Sequence, residues 1–238
     1  MLEINNLTKI YKGENKAVDN VTIHVEAGDI YGFIGHNGAG KTTTIKCVAG
    51  ILDFNEGEIL VDGKSIKDKP VECKKIMAYI PDEINIYDHL TGIQFLEFIS
   101  DIFGISVELR AKNINKFSEM FEMKEALSSV ISSYSHGMKQ KIALISAFIH
   151  EPKILICDEP FVGLDPKSSH ILKEQMKQLC DNGGAIFFST HVLEVAQKLC
   201  NKISIIKNGK IIIEGNTDEI VQNKSLEDVF LELVEEGK

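Results

Sequence analysis

The chain has 238 residues and a mass of 26.5 kDa, enough for one large α/β domain or two small ones. Its net charge of −9 excludes a general attraction for nucleic acid, and its five cysteines, odd in number and never spaced C-x-x-C, argue against a zinc site or a secreted disulfide framework. The apolar run 142–149 is much shorter than the ~18–20 residues that span a bilayer. We therefore expect a cytosolic protein that does not itself cross a membrane and has no nucleic-acid partner.

The first part of the chain is predicted to form antiparallel strands. Short β-branched runs at 7–11 and 21–25 are separated by turn-forming residues, and 29–34 predicts a further strand. Tyr11 belongs to the first run. Its ring could stack on an adenine base or cover a face of the sheet, and periodicity alone favours the sheet.

The next stretch matches G-x-x-x-x-G-K-[ST], the phosphate-binding loop, at every fixed position. Glycines let consecutive backbone N–H groups point at an anion, and the helix predicted from Lys41 to Ala49 adds the positive end of its dipole. Lys41 is expected to reach the β- and γ-phosphates, and the Thr42 hydroxyl to bind Mg²⁺. The candidate nucleotide-binding residues are Gly35, His36, Asn37, Gly38, Ala39, Gly40, Lys41, Thr42 and Thr43.

Beyond this helix the pattern changes from strands to helices. Residues 57–61 and 77–80 predict strands, with a tight turn at Asp62-Gly63, and five lysines between 64 and 75 indicate a solvated surface because acids interrupt them. Helical periodicity follows at 93–103 and 107–127, and a third helix is predicted from an N-cap at Ser135 to His150.

The continuous apolar run 154–157 predicts a central parallel strand, and two acidic residues follow it directly. Asp158 is a candidate Mg²⁺ ligand and Glu159 a candidate for polarising an attacking water, although both could merely cap the next turn. Asp165 is the predicted N-cap of the following helix. His191 ends the strand predicted at 185–190, where a histidine is usually structural but could also hydrogen-bond a γ-phosphate.

The remaining chain predicts a helix at 192–200, a hairpin of 203–206 with 211–214 around Asn208-Gly209, and a last helix with a capping box at Ser225 and Asp228.

Five motifs, in this order and approximate spacing, resemble those of ATP-binding-cassette (ABC) ATPases. They are 35–42, 134–138 (YSHGM), 154–159, 163–166 (GLDP) and His191. The resemblance covers nearly the whole chain. It implies an α/β P-loop NTPase fold, a RecA-like core with an antiparallel β subdomain and an α-helical insert, in a single domain 1–238. We expect residues 1–82 and 151–215 to form the β subdomain and core, 83–150 the helical subdomain, and 216–238 a C-terminal extension.

The resemblance also implies function. ATP and Mg²⁺ would be bound, with Glu159, His191 and Lys41 catalytic and Tyr11 stacked on adenine. Two copies would pair head-to-tail, so that Ser135 and Gly137 reach the partner's ATP. The C-terminal stretch 225–233 looks like that of bacterial export-type subunits. These implications predict an ATPase at the cytoplasmic face of the membrane, powering a separate transmembrane permease.

Two residues depart from the family pattern. Asp82 stands where a glutamine is usual; it could still bind Mg²⁺ through water, but coupling to the permease is then in doubt. His136 replaces the middle glycine of the signature, which we expect to slow closure or make it pH-dependent. These departures support one alternative, a nucleotide-gated regulatory or immunity module with weak hydrolysis. A second alternative is a soluble ABC ATPase that acts on DNA or ribosomes.

Overall fold

The computed structural model describes residues 1–13, 15–222 and 224–235, which form two β-sheets and a set of packed helices. The strands are β1 (Leu2–Ile10), β2 (Lys16–Val25), β3 (Ile30–Ile34), β4 (Glu56–Val61), β5 (Lys64–Ser65), β6 (Met77–Ile80), β7 (Ile154–Asp158), β8 (Ala185–Thr190), β9 (Lys202–Lys207) and β10 (Lys210–Asn216). The helices are α1 (Lys41–Val48), α2 (Pro70–Ile76), α3 (Gly92–Phe103), α4 (Val107–Met120), α5 (His136–Phe148), α6 (Pro166–Asp181), α7 (Leu193–Leu199), α8 (Thr217–Val221) and α9 (Leu226–Glu235).

The smaller sheet is antiparallel, in the order β2-β1-β4-β5, and the larger has the order β10-β9-β3-β8-β7-β6. From β9 to β6 the larger sheet is parallel. Every residue of β3, β7 and β8 is buried, as expected for strands covered on both faces. Helices α3 to α5 lie between β6 and β7 in the chain. The predicted combination of a mixed α/β core, an antiparallel β unit and a helical insert is therefore confirmed.

Two hydrophobic cores hold these layers together. One lies between the sheets, where the Phe187 ring packs against Tyr31 and Phe33 at centroid distances of 5.7 and 5.4 Å. The other joins the opposite face of the larger sheet to the helices and extends to Leu226 and Phe230 of α9. The parallel strands share both cores, which fixes the position of their carboxyl ends.

Most local signals are confirmed. Asp62-Gly63 and Asn208-Gly209 both have positive φ at both residues, as tight hairpin turns require. Ser135 accepts a hydrogen bond from the Met138 amide at 3.3 Å, as an N-cap does. The capping box at the start of α9 is formed as predicted.

Two local predictions were wrong, and one helix was not predicted. Tyr11 follows β1 and is not part of it. The helix predicted over 107–127 ends at Met120, because Glu122 adopts a left-handed backbone (φ 57°), and a 3₁₀ helix, Lys124–Ser128, follows. The lysine-rich stretch is solvent-exposed as predicted, since all five lysines are exposed, but it also contains an unpredicted helix, α2, which begins at Pro70 and buries Cys73.

Asp165 caps α6 and also forms an ion pair with a lysine side chain. Its carboxylate accepts from the Ser168 amide at 2.8 Å and lies 2.8 Å from Lys141 Nζ. Lys141, and then the Ser168 amide, hold the pKa of Asp165 well below its ordinary value.

We expect Asp165→Ala to lower the free energy of unfolding by about 1 kcal/mol at pH 7, since an N-cap is lost. Because the folded pKa is depressed, the contribution is present above the ordinary aspartate pKa and disappears as the pH falls through the lower folded value. Denaturant titrations across this range measure the difference. Asp181→Ala, at the exposed end of the same helix, is the control. A loss that did not shrink at low pH would contradict the carboxylate's role.

Candidate functional site

The glycine-rich loop connects β3 to α1 and is pressed against the backbone of neighbouring segments. A Cβ on Gly35 would lie 2.6 Å from the Ile206 carbonyl oxygen, and one on Gly40, whose φ is +113°, would lie 2.4 Å from that of Ala17. The Gly209 amide donates to the Ala39 carbonyl at 2.9 Å. Only glycine permits these approaches, so the loop's shape depends on the hairpin between β9 and β10 as well as on its own sequence.

Lys41 turns back into the loop. Its ammonium donates to the carbonyls of Gly35 at 2.6 Å and His36 at 3.2 Å, and lies 3.8 Å from Glu159 Oε1. Burial lowers the pKa of Lys41, although neighbouring carboxylates oppose the shift. The side chain is 6% exposed, so the loop holds a nearly buried cation next to inward-facing glycines. This arrangement suits a polyanion.

A cavity of about 340 Å³ opens in front of the loop. Asp82 and Glu159 face the loop across it, and the start of α1 opens into it. The remaining lining residues are Ala17, His36, Asn37, Gly38, Gly40, Lys41, Thr42 and Thr43. A larger cavity of about 540 Å³, beside Lys153 and Gly184, has none of the predicted site residues in its wall. The chemistry of the smaller cavity makes it the candidate site.

Asp158 ends β7 with an unpaired oxygen. It is 1% exposed; Oδ1 accepts from the Ser189 hydroxyl, while Oδ2 has no hydrogen-bond partner among the described residues. A buried carboxylate oxygen without a partner is costly unless a cation or donor satisfies it. Together with the Thr42 hydroxyl at the start of α1, this oxygen donor set fits Mg²⁺.

Glu159 has a strained backbone and a fixed side chain. Its φ of 50° is unusual for a residue with a Cβ, and its amide donates to the Ser189 hydroxyl at 3.2 Å. Oε1 lies 2.9 Å from His191 Nδ1, and Oε2 accepts from the His191 amide at 3.3 Å. Strain of this kind persists where surrounding contacts impose it, and it is concentrated at functional sites. Two predicted catalytic residues are thus in direct contact.

Asp82 also lines the cavity, near Asp158 and Glu159. Partial burial, and then the negative charges of Asp158 and Glu159, raise the pKa of Asp82. The cavity therefore collects acidic groups that repel one another. A bound cation between them would relieve this repulsion.

Seven predicted site residues do not line the cavity. Four of them, Gly35, Ala39, Asp158 and His191, adjoin or contact residues that do, and the other three are Tyr11, Ser135 and Gly137. The Tyr11 ring is 45% exposed, with Lys9 Nζ 5.4 Å from its centroid. Ser135 and Gly137 lie at the start of α5. The segment that precedes α6 is close by: a Cβ on Gly137 would lie 3.2 Å from the Gly163 carbonyl oxygen. The exposed Ser135 hydroxyl caps its own helix.

Sequence reasoning missed two residues of the site. Ser189 supports both Asp158 and Glu159, and its signal was a polar residue at the end of an apolar strand. Ala17 lines the cavity and touches Gly40 through its carbonyl group. No signal in the sequence could have indicated Ala17, since any residue supplies a carbonyl.

The family model for ABC transporters, ABC_tran, matches residues 18–162. The chain belongs to the ABC transporter family. It is 34% identical to the ABC-type transporter ATP-binding protein EcsA of Bacillus subtilis, covering 99% of this chain and 97% of that one. It is 30% identical to the Nod factor export ATP-binding protein I of Cupriavidus metallidurans, covering 94% and 74%.

Two solved structures support the same assignment. An ATP-binding subunit of an ABC transporter has a TM-score of 0.94 and 33% identity, covering 98% of this chain and 99% of that one. The dimeric post-hydrolysis state of the cassette MJ0796, bound to ADP and Pi, has a TM-score of 0.82 and 25% identity, covering 91% and 99%. The predicted P-loop NTPase fold is therefore confirmed. Among the described residues, none of the helices combines the length and apolarity needed to span a membrane.

Gly40→Ala tests the shape of the loop. Both Gly38 and Gly40 have positive φ, but only at Gly40 would a Cβ meet backbone. We expect Gly40→Ala to raise the Kd for ATP at least about tenfold, because the loop must move away from Ala17. Gly38→Ala, with open space around its Cβ, should have the smaller effect. Equilibrium binding of a fluorescent ATP analogue measures both, and equal effects would contradict the steric argument.

Proposed function

We propose that this chain is the ATP-binding and ATP-hydrolysing subunit that powers a separate transmembrane permease, in the direction of export. The observation that carries the proposal is that the glycine-rich loop, Asp158 and the Glu159–His191 pair meet at the carboxyl edge of the parallel sheet, beside the cavity that the loop and Glu159 line. The structural neighbour bound to ADP and Pi supports hydrolysis at such a site.

Each residue then has a defined role. Lys41 and the loop amides stabilise charge on the β- and γ-phosphates. Mg²⁺, held by Thr42, Asp158 and, through water, Asp82, would neutralise charge on the same phosphates. Glu159 accepts a proton from the attacking water. His191 orients Glu159 through their 2.9 Å contact and is placed to hydrogen-bond the γ-phosphate.

The proposed active unit is a head-to-tail homodimer. Ser135 and Gly137 lie away from the cavity of their own subunit, and the start of α5 is exposed. A helix amino terminus attracts anions, so these residues are suited to the γ-phosphate held by a second copy. The Tyr11 ring is 45% exposed and therefore accessible for stacking on adenine. The dimeric neighbour supports this assembly.

Glu159→Gln tests the hydrolytic role. We expect turnover to fall at least about a hundredfold, because the amide cannot accept the proton, while ATP is retained and the dimer becomes trapped. Phosphate release and gel filtration with ATP measure the two effects. Glu174→Gln, on the exposed face of α6, is the control. Unchanged turnover in Glu159→Gln would refute the base assignment, and parental turnover no faster than that of the variant would favour the nucleotide-gated module.

The relatives favour transport over the two alternatives. The Bacillus subtilis relative is named as an ATP-binding protein of a transporter, and the Cupriavidus metallidurans relative as one of an export system. The export direction rests on the Nod factor export relative and on the C-terminal stretch 225–233. We place the protein at the cytoplasmic face of the membrane, attached through its permease.

An exposed apolar patch on the helical insert is the proposed contact with the permease. Tyr87, Phe98 and Ile102 are 49%, 40% and 59% exposed. The rings of Tyr87 and Phe98 meet edge-to-face at 5.5 Å, and Ile102 follows Phe98 by one turn on the same face of α3. Clustered apolar side chains on a surface indicate a partner, and a transporter's ATP-binding subunit has the permease as its partner.

Ile102→Ser should therefore weaken recovery of the permease in pull-downs from detergent-extracted native membranes, while ATP turnover of the isolated subunit is unchanged. The lost apolar contact is expected to cost about tenfold in affinity. Ile212→Ser, on β10 at the opposite edge of the larger sheet, is the control. Equal permease recovery by the parent and Ile102→Ser would exclude this patch as the contact.

A further inference from the structure

The C-terminal helix α9 contacts the phosphate loop through one aromatic side chain. The Phe230 and His36 rings meet edge-to-face, with centroids 4.8 Å apart and planes at 64°. Phe230 is 6% exposed, whereas His36 is exposed apart from this contact. The helix that ends the described chain therefore touches the second residue of the loop.

A second set of contacts fixes α9 to the helix that follows His191. Leu226 is fully buried, and its amide donates to the Gln197 side chain of α7 at 2.9 Å. The Ser225–Asp228 capping box stabilises the start of α9. Phe230 lies one turn after Leu226, so an anchored helix presents the ring to the loop. Leu226 and Phe230 both pack on the core, and Phe230 in addition contacts the His36 ring.

The same ring forms part of a second cavity beside the loop, of about 450 Å³. Its wall also includes Gly35, His36, Asn37 and His191. Phe230 thus lies where the loop and the proposed catalytic histidine face a common space.

His36 connects this contact to the binding chemistry. Its carbonyl accepts from Lys41 Nζ at 3.2 Å and from the Ala39 amide at 3.1 Å. A ring that restricts the His36 side chain therefore also restricts the backbone group that orients Lys41. Restricting the loop before binding reduces the conformational entropy lost when a phosphate is bound.

We propose that Phe230 is a positioning residue: it holds His36, and through it the phosphate loop, in the conformation that binds ATP. The C-terminal helix is then part of the nucleotide site, although it touches no reacting atom. This inference rests on the proposed function, in which the loop at 35–42 binds the phosphates of ATP.

The test measures ATP binding by the full-length protein. We expect Phe230→Ala to raise the Kd for ATP about fivefold, since an edge-to-face ring pair is worth about 1 kcal/mol. The KM should rise in step, whereas kcat at saturating ATP should change less than about twofold, because the bound loop reaches the same conformation. Phe230→Leu keeps apolar volume without the ring edge and should raise the Kd in the same direction. Phe230→Tyr, which keeps the ring, should bind close to the parent.

The controls separate positioning from general stability. Leu231→Ala, 48% exposed on the neighbouring position of α9, should leave the Kd unchanged. The double variant His36→Ala/Phe230→Ala should bind no more weakly than His36→Ala alone, because both remove one contact. Additive effects, or an unchanged Kd in folded Phe230→Leu, would overturn the proposal. Lys41→Ala tests the underlying site: ATP binding equal to the parent would refute the loop's assignment itself, whatever Phe230 does.

Discussion

Parallel pairing of β3, β7 and β8 is the constraint on which the site depends. Parallel strands carry their carboxyl ends to one edge of a sheet, and these three are buried on both faces, so their positions are fixed by packing on two sides. That edge receives the phosphate loop from β3, the two acids from β7 and His191 after β8. Residues far apart in the chain thereby acquire fixed distances, such as the 2.9 Å between Glu159 and His191.

The charged side chains at this edge are not fully paired with one another, as expected of groups that bind charged ligands. The site combines a nearly buried lysine with acidic side chains, one of which has an unpaired buried oxygen. Asp82 adds a further negative charge where the family usually has a neutral amide, and partial burial, followed by the neighbouring carboxylates, raises its pKa. A polyanion with a divalent cation satisfies both kinds of group at once: the phosphates pair with Lys41 and the cation with the carboxylates. We therefore interpret Asp82 as compatible with Mg²⁺.

Two helices around the larger sheet, α5 and α9, contact segments next to the site. The His136 ring lies against Gly163, where a Cβ would be 2.8 Å from it, and Lys141 pairs with Asp165. The altered signature residue therefore packs on the segment before α6 and does not line the candidate nucleotide cavity. On the other side, α9 reaches the loop through Phe230. Two elements outside the β-sheets thus contact the segment before α6 and the phosphate loop.

The sequence by itself determined the local structures and the identity of the chemical groups. Gly35 to Thr42, the apolar run ending in Asp158 and the caps at Ser135 and Asp165 could be predicted because their signals lie within a few consecutive residues. Helix α2 and the early end of α4 were missed, since a surface pattern conceals a short helix and a single left-handed residue breaks a long one. Only the tertiary structure brought Ser189 to both acids, Ala17 to Gly40 and Phe230 to His36. These contacts join residues distant in sequence, and they depend on how the sheets and helices pack, which local patterns do not encode.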